Sequence, residues 1–463
     1  MTGNPAPLPG SFRDPSGFVF THDAKVFRQI NSQYKEDYER LMESGLYESL
    51  LMGGLIVKHD EVDIPAPAPD IAFKVIRPEL IPFISYPYEW CFSQLKDAAL
   101  ATLEVHLRAI EYGMTLKDAS AYNIQFQDGR PVLMDTLSFE AYREGEPWVA
   151  YRQFCQHFLS PLSLMSRSDI RLGQLLRVFM DGVPLDLASK LLPFVSKIDH
   201  SLLMHVHLHA KSQKRHADTR SDLKKKNKKS TFSLKAMRGL IESLKSAVMN
   251  LSWEPKGTEW SEYYSHTNYS DAAMRRKAEL VKKFLNNCTP ESVWDLGANT
   301  GVFSRLASER GVPTVAFDID PAAVEKNYRD CRDRGRRNLL PLLLDLTNPS
   351  PAIGWENSER ASLAERGPAG MVFALALIHH LAISNNLPLD RIGRFLRDIC
   401  KKLVIEFVPK TDIQVQRLLS SRKDIFDGYT EEGFERAFGI FFENEMKCRI
   451  EGTERTLYFM KSR

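Results

Sequence analysis

The chain has 463 residues, of which 43% are hydrophobic and 26% charged, with a formal net charge of +3 at pH 7. That length exceeds one ordinary core and predicts two or three domains; no apolar run reaches the ~18 residues a membrane-spanning helix needs. Residues 211–229 hold nine Lys or Arg against two Asp and the remainder sums to −4, so basicity belongs to one short segment and not to the folded surfaces.

Cys91, Cys155, Cys288, Cys331, Cys400 and Cys448 are scattered without a Cys-x-x-Cys pair. Structural thiols are expected, with no zinc site or other metal and no disulfide framework. The N-terminal residues lack the basic start and apolar core of a signal peptide, which gives a cytoplasmic expectation.

Residues 1–16, rich in Pro, Gly and Ser, read as a flexible arm. Gly17–Phe20 and Lys25–Arg28 read as short strands, and Tyr34, Tyr38, Leu41 and Met42 place a helix within 31–52. Further strands are expected at Gly54–Lys58 and Phe73–Ile76, around a Pro-rich loop at 62–71. Leu95, Ala99, Leu103, Leu107, Ile110 and Met114 recur every three or four residues and predict a long amphipathic helix. Asp118 and Asn123 follow, then Asp128-Gly129 between two apolar runs, a hairpin signal, and Asp135 closes the second run.

This layout resembles the catalytic loop of protein-kinase-like and aminoglycoside-phosphotransferase-like folds, over about residues 17–200. The resemblance implies a catalytic carboxylate at Asp118 and magnesium-holding positions at Asn123 and Asp135. The sequence departs from that family in several places: Leu116 replaces the usual His, and Asp135-Thr136-Leu137 stands where Asp-Phe-Gly is usual. No Gly-rich loop or Val-Ala-Ile-Lys strand precedes them. Residues 17–210 are therefore read as an α+β, degenerate kinase-like domain. The other reading is a regulatory or substrate-holding domain whose hairpin happens to be flanked by polar residues.

Residues 211–254 read as a basic linker and a helix. Lys224–Lys229 offers charge to an anionic partner, but without interleaved aromatics for base stacking a nucleic acid is not the expected one. A solvated linker is the plainer account. Trp260, Tyr263, Tyr264 and Tyr269 then precede a helix through Val281 and Leu285.

Ser292–Trp294 reads as the end of a buried strand. Asp295, Gly297 and Asn299 form a turn, and Gly301 is expected to open a helix with Val302, Phe303, Leu306 and Ala307 on one face. The spacing is not Gly-x-Gly-x-x-Gly, which disfavours an NAD-dependent oxidoreductase. It resembles motif I of the class I S-adenosylmethionine (SAM) dependent methyltransferases, and residues 255–463 are read as that domain.

A second strand, Thr314–Asp318, ends in a carboxylate able to accept both hydroxyls of a ribose, with Asp320 as runner-up and Pro321 starting the next helix. A third run, Leu339–Leu344, ends in Asp345, where the resemblance implies an acceptor for the adenine amino group. The fourth strand, Met371–Leu377, leads to His379 and His380. Either could take a proton from an acceptor near neutral pH, or only orient the cofactor. Leu403–Lys410, a helix at 430–438 and strands at Phe442–Ile450 and Thr456–Lys461 complete seven strands in the methyltransferase order. The run from Glu406 to Phe434 is also similar to nodulation-protein-like bacterial methyltransferases.

The expected fold is thus α/β, a Rossmann-like seven-stranded sheet preceded by an α+β domain. The expected function is SAM-dependent methyl transfer. No Asn-Pro-Pro-Tyr follows the fourth strand and no Pro-Cys pair is present, which leaves a hydroxyl or amine of a small molecule or glycan as acceptor. The alternatives are a nucleoside-binding pseudoenzyme scaffold and a bifunctional methyltransferase-kinase.

Overall fold

The structure, a computed structural model, describes residues 5–212, 232–255, 270–420 and 422–463. Lys224–Lys229 and the aromatics Trp260, Tyr263, Tyr264 and Tyr269 lie outside the described residues. The chain forms two compact units, Met1–Glu254 with Gly354–Arg360, and Pro255–Ile353 with Ala361–Arg463.

The first unit is built on five antiparallel strands, β1 (Ala6–Pro7), β2 (Gly17–His22), β3 (Lys25–Asn31), β4 (His59–Glu61) and β5 (Ala72–Pro78), in the order β1-β2-β3-β5-β4. The free arm expected over 1–16 is not what residues 5–16 form. Ala6 and Pro7 pair with Thr21 and Phe20, Leu8 N donates to Val19 O at 2.9 Å, and Val19 N donates to Ser11 Oγ at 2.8 Å. A Pro-rich segment tolerates this place because an edge strand needs no donor on its outer side.

The helix expected within 31–52 is two, Lys35–Glu43 and Leu46–Met52, broken where Gly45 takes φ +84°. The strand expected at Gly54–Lys58 is displaced to β4. Leu55 N is still bonded to Leu50 O as the chain leaves the helix, and only Ile56 bridges Leu133. The long helix is Phe92–Glu111. It stops short of Met114 because Gly113 turns at φ +73° and Met114 already belongs to a strand.

Four short strands follow, β6 (Met114–Leu116), β7 (Ile124–Gln127), β8 (Arg130–Leu133) and β9 (Phe139–Ala141). β6 pairs with β9, and β7 with β8 across Asp128 and Gly129. Both turn residues have positive φ, +50° and +75°, as a two-residue hairpin of the right twist requires. Gly354–Arg360 completes this unit. Glu359 holds Arg13 through two bonds of 2.6 and 2.8 Å, and the Arg360 guanidinium lies 4.3 Å from the centre of the Tyr122 ring.

The second unit is one seven-stranded sheet: β10 (Val293–Leu296), β11 (Thr314–Asp318), β12 (Leu339–Leu343), β13 (Ala369–Ala374), β14 (Cys400–Phe407), β15 (Phe442–Arg449) and β16 (Thr456–Ser462). The order is β12-β11-β10-β13-β14-β16-β15, with β10 to β14 parallel and β16 antiparallel to both neighbours. Every residue of β10, β11 and β13 is buried. This is why they read as short apolar runs without alternation, as strands covered on both faces do.

The helix Asp271–Cys288 covers one face. Ser270 Oγ accepts from Ala273 N at 3.1 Å and caps it. Val281, Phe284 and Leu285 pack with Met371, Phe373, Val404 and Phe459 in one core, with Phe284 stacked on Phe459 at 5.3 Å. Each such buried side chain contributes about 1.5–3 kcal/mol. Among the described residues no helix is long and apolar enough to cross a membrane.

Candidate functional site

The strand order reverses at β10, which lies between β11 and β13. In an open parallel sheet that is where a crevice forms, outside the carboxyl ends of the strands. Here the ends of β10 to β13 face a cavity of about 260 Å³ whose lining includes Asp295, Gly297, Asn299, Asp318, Asp345 and His380.

Each of these is placed by local chemistry. The turn after β10 requires left-handed backbone at Gly297 (φ +75°), Asn299 (φ +50°) and Gly301 (φ +76°). A Cβ on Gly297 would approach Leu377 to 3.3 Å at the cavity wall. Gly301 serves packing instead: a Cβ there would come within 2.6 Å of the Asn327 side chain, and the residue is absent from the lining. The helix expected to open at Gly301 begins three residues later, Ser304–Ser308, because the left-handed glycine cannot itself be helical. Gly297 N and Ala298 N both donate to Phe317 O at 2.9 Å, tying the turn to β11.

Asp295 is buried and accepts from Ser304 Oγ at 2.6 Å. Asp318 is buried and accepts from Asn299 N at 2.7 Å and Asp320 N at 2.9 Å. Burial pushes both carboxyls up to about 6; hydrogen bonds oppose the rise in each, as does nearby Lys277 for Asp295. Asp320, the runner-up for a ribose contact, caps the helix Pro321–Asp333 by accepting from Ala322 N at 2.8 Å and does not line the cavity. Asp345 accepts from Thr347 N at 2.8 Å and Thr347 Oγ1 at 2.7 Å, which fixes it at the rim.

The two histidines separate. His380 lines the cavity, whereas His379 does not, although their rings are 4.1 Å apart. Burial, assisted by the Arg455 charge, lowers His380 to about 4; His379 is lowered well below the ordinary value by burial and then by its neighbour. Both imidazoles are neutral at pH 7.

The cavity also holds a residue that the sequence pattern did not single out. Lys277, buried on the helix Asp271–Cys288, lines it. Its ammonium lies 2.6 Å from Glu406 Oε2 and 4.6 Å from the Phe303 ring centre. Glu406 meets Arg455 at 3.3 Å, and Arg455 meets Asp412 at 2.7 and 3.1 Å, all buried. Burial lowers the Lys277 pKa, against the pull of Glu406. The available signal was a lysine at position 277 in register with Met274, Val281 and Phe284 on the apolar helix face.

In the first unit, Asp118, Asn123 and Asp135 do come together, but as a closed hydrogen-bonded set. Asp118 Oδ1 accepts from Ser120 N at 2.9 Å and Gln153 Nε2 at 2.8 Å. Asn123 Nδ2 donates to Ser138 Oγ at 3.2 Å, and Ser138 Oγ donates to Asp135 Oδ2 at 2.5 Å. Asp135 Oδ1 accepts from Leu137 N at 3.1 Å and from Arg28 of β3. Burial alone would push the Asp135 carboxyl up; Arg28 and these hydrogen bonds outweigh it and hold it below the usual range. Asp118 is raised by burial and by the Asp135 charge. Among the described residues no three His, Cys, Asp or Glu side chains converge as metal ligands.

The strand order, with an antiparallel β16 between β14 and β15, and the turn after β10 define the second unit as a class I SAM-dependent methyltransferase fold. The whole chain is 37% identical, over 465 aligned positions, to the nodulation protein NoeA of Rhizobium meliloti (strain 1021), covering 98% of this chain and 96% of that one. The chain belongs to the NoeA family. No family model matches it. Similar solved structures include the PH0226 protein of Pyrococcus horikoshii OT3, at 19% identity and a TM-score of 0.32, covering 45% of this chain and 100% of that one. Another is the magnesium protoporphyrin IX methyltransferase of Synechocystis PCC 6803 with bound SAH, at 16% identity and a TM-score of 0.31, covering 44% and 93%.

Proposed function

We propose that this chain is a cytoplasmic SAM-dependent methyltransferase acting on a hydroxyl or amine of a small molecule or glycan. The observation that carries the reading is the donor and acceptor set around one cavity: buried carboxylates at Asp295 and Asp318, a rim carboxylate at Asp345, and the Lys277 ammonium. That set matches a nucleoside joined to a zwitterionic amino acid. Asp318 would accept the ribose hydroxyls, Asp345 the adenine amino group, and Lys277 and Asp295 the carboxylate and ammonium of the methionyl part. The Gly297 turn leaves room where a side chain would crowd Leu377. When bound, SAM supplies an electrophilic methyl group. His380 holds a neutral nitrogen at the cavity wall to accept the proton of the acceptor, and Phe303, Leu377 and Leu381 exclude water there.

Calorimetry with S-adenosylhomocysteine on the full chain tests this. Asp318→Ala is expected to weaken binding by about 1.5–3 kcal/mol, because two hydroxyls lose a charged acceptor. The pH dependence has a defined sign. The raised values of Asp295 and Asp318 mean that the stability they lend the ligand-free fold is present below about pH 4 and lost as pH rises through 6. Ligand hydroxyls favour the ionised form of Asp318, so affinity should climb between pH 5 and 7 and binding should release protons near pH 6. Tight NAD binding, or no nucleoside binding, overturns the proposal.

For the first unit we infer a kinase-like domain that does not transfer phosphate. Arg28 already supplies the positive charge that a metal ion would bring to Asp135, and both Asp135 oxygens are engaged by protein donors. Mg-ATP is expected to leave the melting temperature of the full chain unchanged. Stabilisation by Mg-ATP together with phosphate transfer that disappears in Asp118→Asn would establish the bifunctional methyltransferase-kinase instead.

A further inference from the structure

In the first unit the helix Leu185–Leu191 runs into a tight turn, Phe194–Lys197, before the chain re-enters helix at His200. Phe194, Val195 and Ile198 are 74%, 63% and 76% exposed, and Leu191 is 43% exposed. Singly exposed apolar side chains need no explanation, but four within eight residues, from the end of the helix to just past the turn, form a patch.

The patch is held rigidly from beneath. Leu192 and Ser196 of the same segment are buried. Ser196 Oγ donates to Pro193 O at 2.7 Å and meets His207 Nε2 at 2.9 Å, while His207 Nδ1 meets Ser189 Oγ at 2.7 Å. One imidazole thus ties the turn, at Ser196, to the helix that precedes it, at Ser189, and the apolar side chains stand exposed on the other side.

Its rim is cationic. Lys190 and Lys197 belong to the segment, and Lys197 and Lys211 both bear on His207 electrostatically. Lys197 lies over the Phe194 ring at 5.0 Å. None of the three forms an ion pair with a described residue, whereas the nearby acid Asp199 is engaged by Arg167 at 3.4 Å. Apolar side chains standing out of a fixed turn, with lysines whose stems can lie along them and whose charges stay in water, match the layering of an anionic bilayer surface: hydrocarbon below, acidic headgroups at the level of the ammonium groups.

We propose that the turn around Phe194 docks the protein onto an anionic lipid surface, with Phe194, Val195 and Ile198 entering the interface and Lys190, Lys197 and Lys211 meeting the headgroups. The test is sedimentation of the full chain with vesicles of phosphatidylcholine alone or with about one-third phosphatidylserine. The anionic vesicles should carry the protein down and the neutral ones should not. Phe194→Ser with Ile198→Ser should lower the partition by about tenfold or more, and each of Lys190→Ala, Lys197→Ala and Lys211→Ala by about fivefold. Both apolar positions are exposed, and an unchanged far-ultraviolet circular dichroism spectrum and melting temperature check that the variants are folded. In a Phe194→Trp variant, anionic vesicles should shift the added emission to the blue, and brominated acyl chains should quench it. Sedimentation that survives the double substitution would assign binding to another part of the chain, such as the 224–229 lysines, and overturn the proposal. So would failure to sediment, including the case where an acidic protein is bound in place of lipid.

Discussion

His380→Ala will lower methyl turnover by about 10²–10⁴ while leaving the affinity for S-adenosylhomocysteine within about twofold. The neutral ring lines the cavity beside the apolar Leu377 and Leu381, placed to take the acceptor's proton. A base lowered to about 4 is a weak one, so the loss should fall toward the lower end of that range. At saturating SAM, the acid arm of the wild-type turnover profile should not reflect a group near 6.5; the rate loss assigned to His380 should come only as pH drops through about 4. His379→Ala provides the contrast. That ring is outside the cavity lining, and its Nδ1 has no hydrogen-bond partner among the described residues, so binding and rate should fall together. Equal losses in both variants would reduce His380 to a packing residue, and an unchanged rate in His380→Ala would remove it from the chemistry.

Arg455→Ala will destabilise the second unit by about 3–5 kcal/mol, because it leaves Asp412 and half of Glu406 as buried carboxylates without their cation. For a unit of this size that is a fall of roughly 6–20 °C in its calorimetric transition. The guanidinium is 1% exposed, so water cannot substitute for it. Arg455 precedes β16, Glu406 is in β14, Asp412 follows β14 and Lys277 comes from the covering helix. One charged cluster therefore fixes four separate segments beside the cavity. Arg455→Lys should recover only part of the loss, since an ammonium cannot make the two-pronged contact with Asp412. A shift below about 2 °C would mean that the cluster carries little of the stability.

What could be read from sequence was what short-range chemistry decides. Thr314–Asp318 was legible to the residue because a buried parallel strand is a bare apolar run, and Pro321 marks the helix start that follows, whereas Asp320, the runner-up for the ribose contact, caps that helix and does not line the cavity. The Asp128-Gly129 hairpin was legible because few residue pairs tolerate two positive φ values. Errors arose where a local signal was true but displaced. The Leu55–Val57 run has strand composition, yet the chain is still leaving a helix there, pairs only at the single Ile56–Leu133 bridge, and enters a strand at His59. Gly301 does belong to the turn before a helix, but its own left-handed backbone delays the helix to Ser304.

The long-range pairings were not legible. Lys277 reads as one more charged residue on a surface helix until Glu406 is brought under it by the sheet. Arg28 reads as a strand residue until β3 carries it against Asp135. The spacing of Asp118, Asn123 and Asp135 invites a metal, and only the fold reveals that the distant Arg28 guanidinium lies against Asp135. Asp318 and Asp345 were legible as candidates because strand ends are the places where open sheets present side chains to a ligand.

The membership of Gly354–Arg360 in the first unit has a consequence for how the protein is made. A chain leaves the ribosome from its N-terminus, and residues 255–353 must be synthesised between Glu254 and the segment that supplies Glu359 to Arg13. At ~5–20 residues per second that delay is roughly 5–20 s. During it the first unit lacks the clasp for Arg13 and the cation over Tyr122, while much of the second unit's sheet is already emerging. The earlier-born unit is therefore finished late, and the two halves must mature on a shared schedule. A stop codon placed at the sequence-level boundary would yield an N-terminal piece missing part of its own structure.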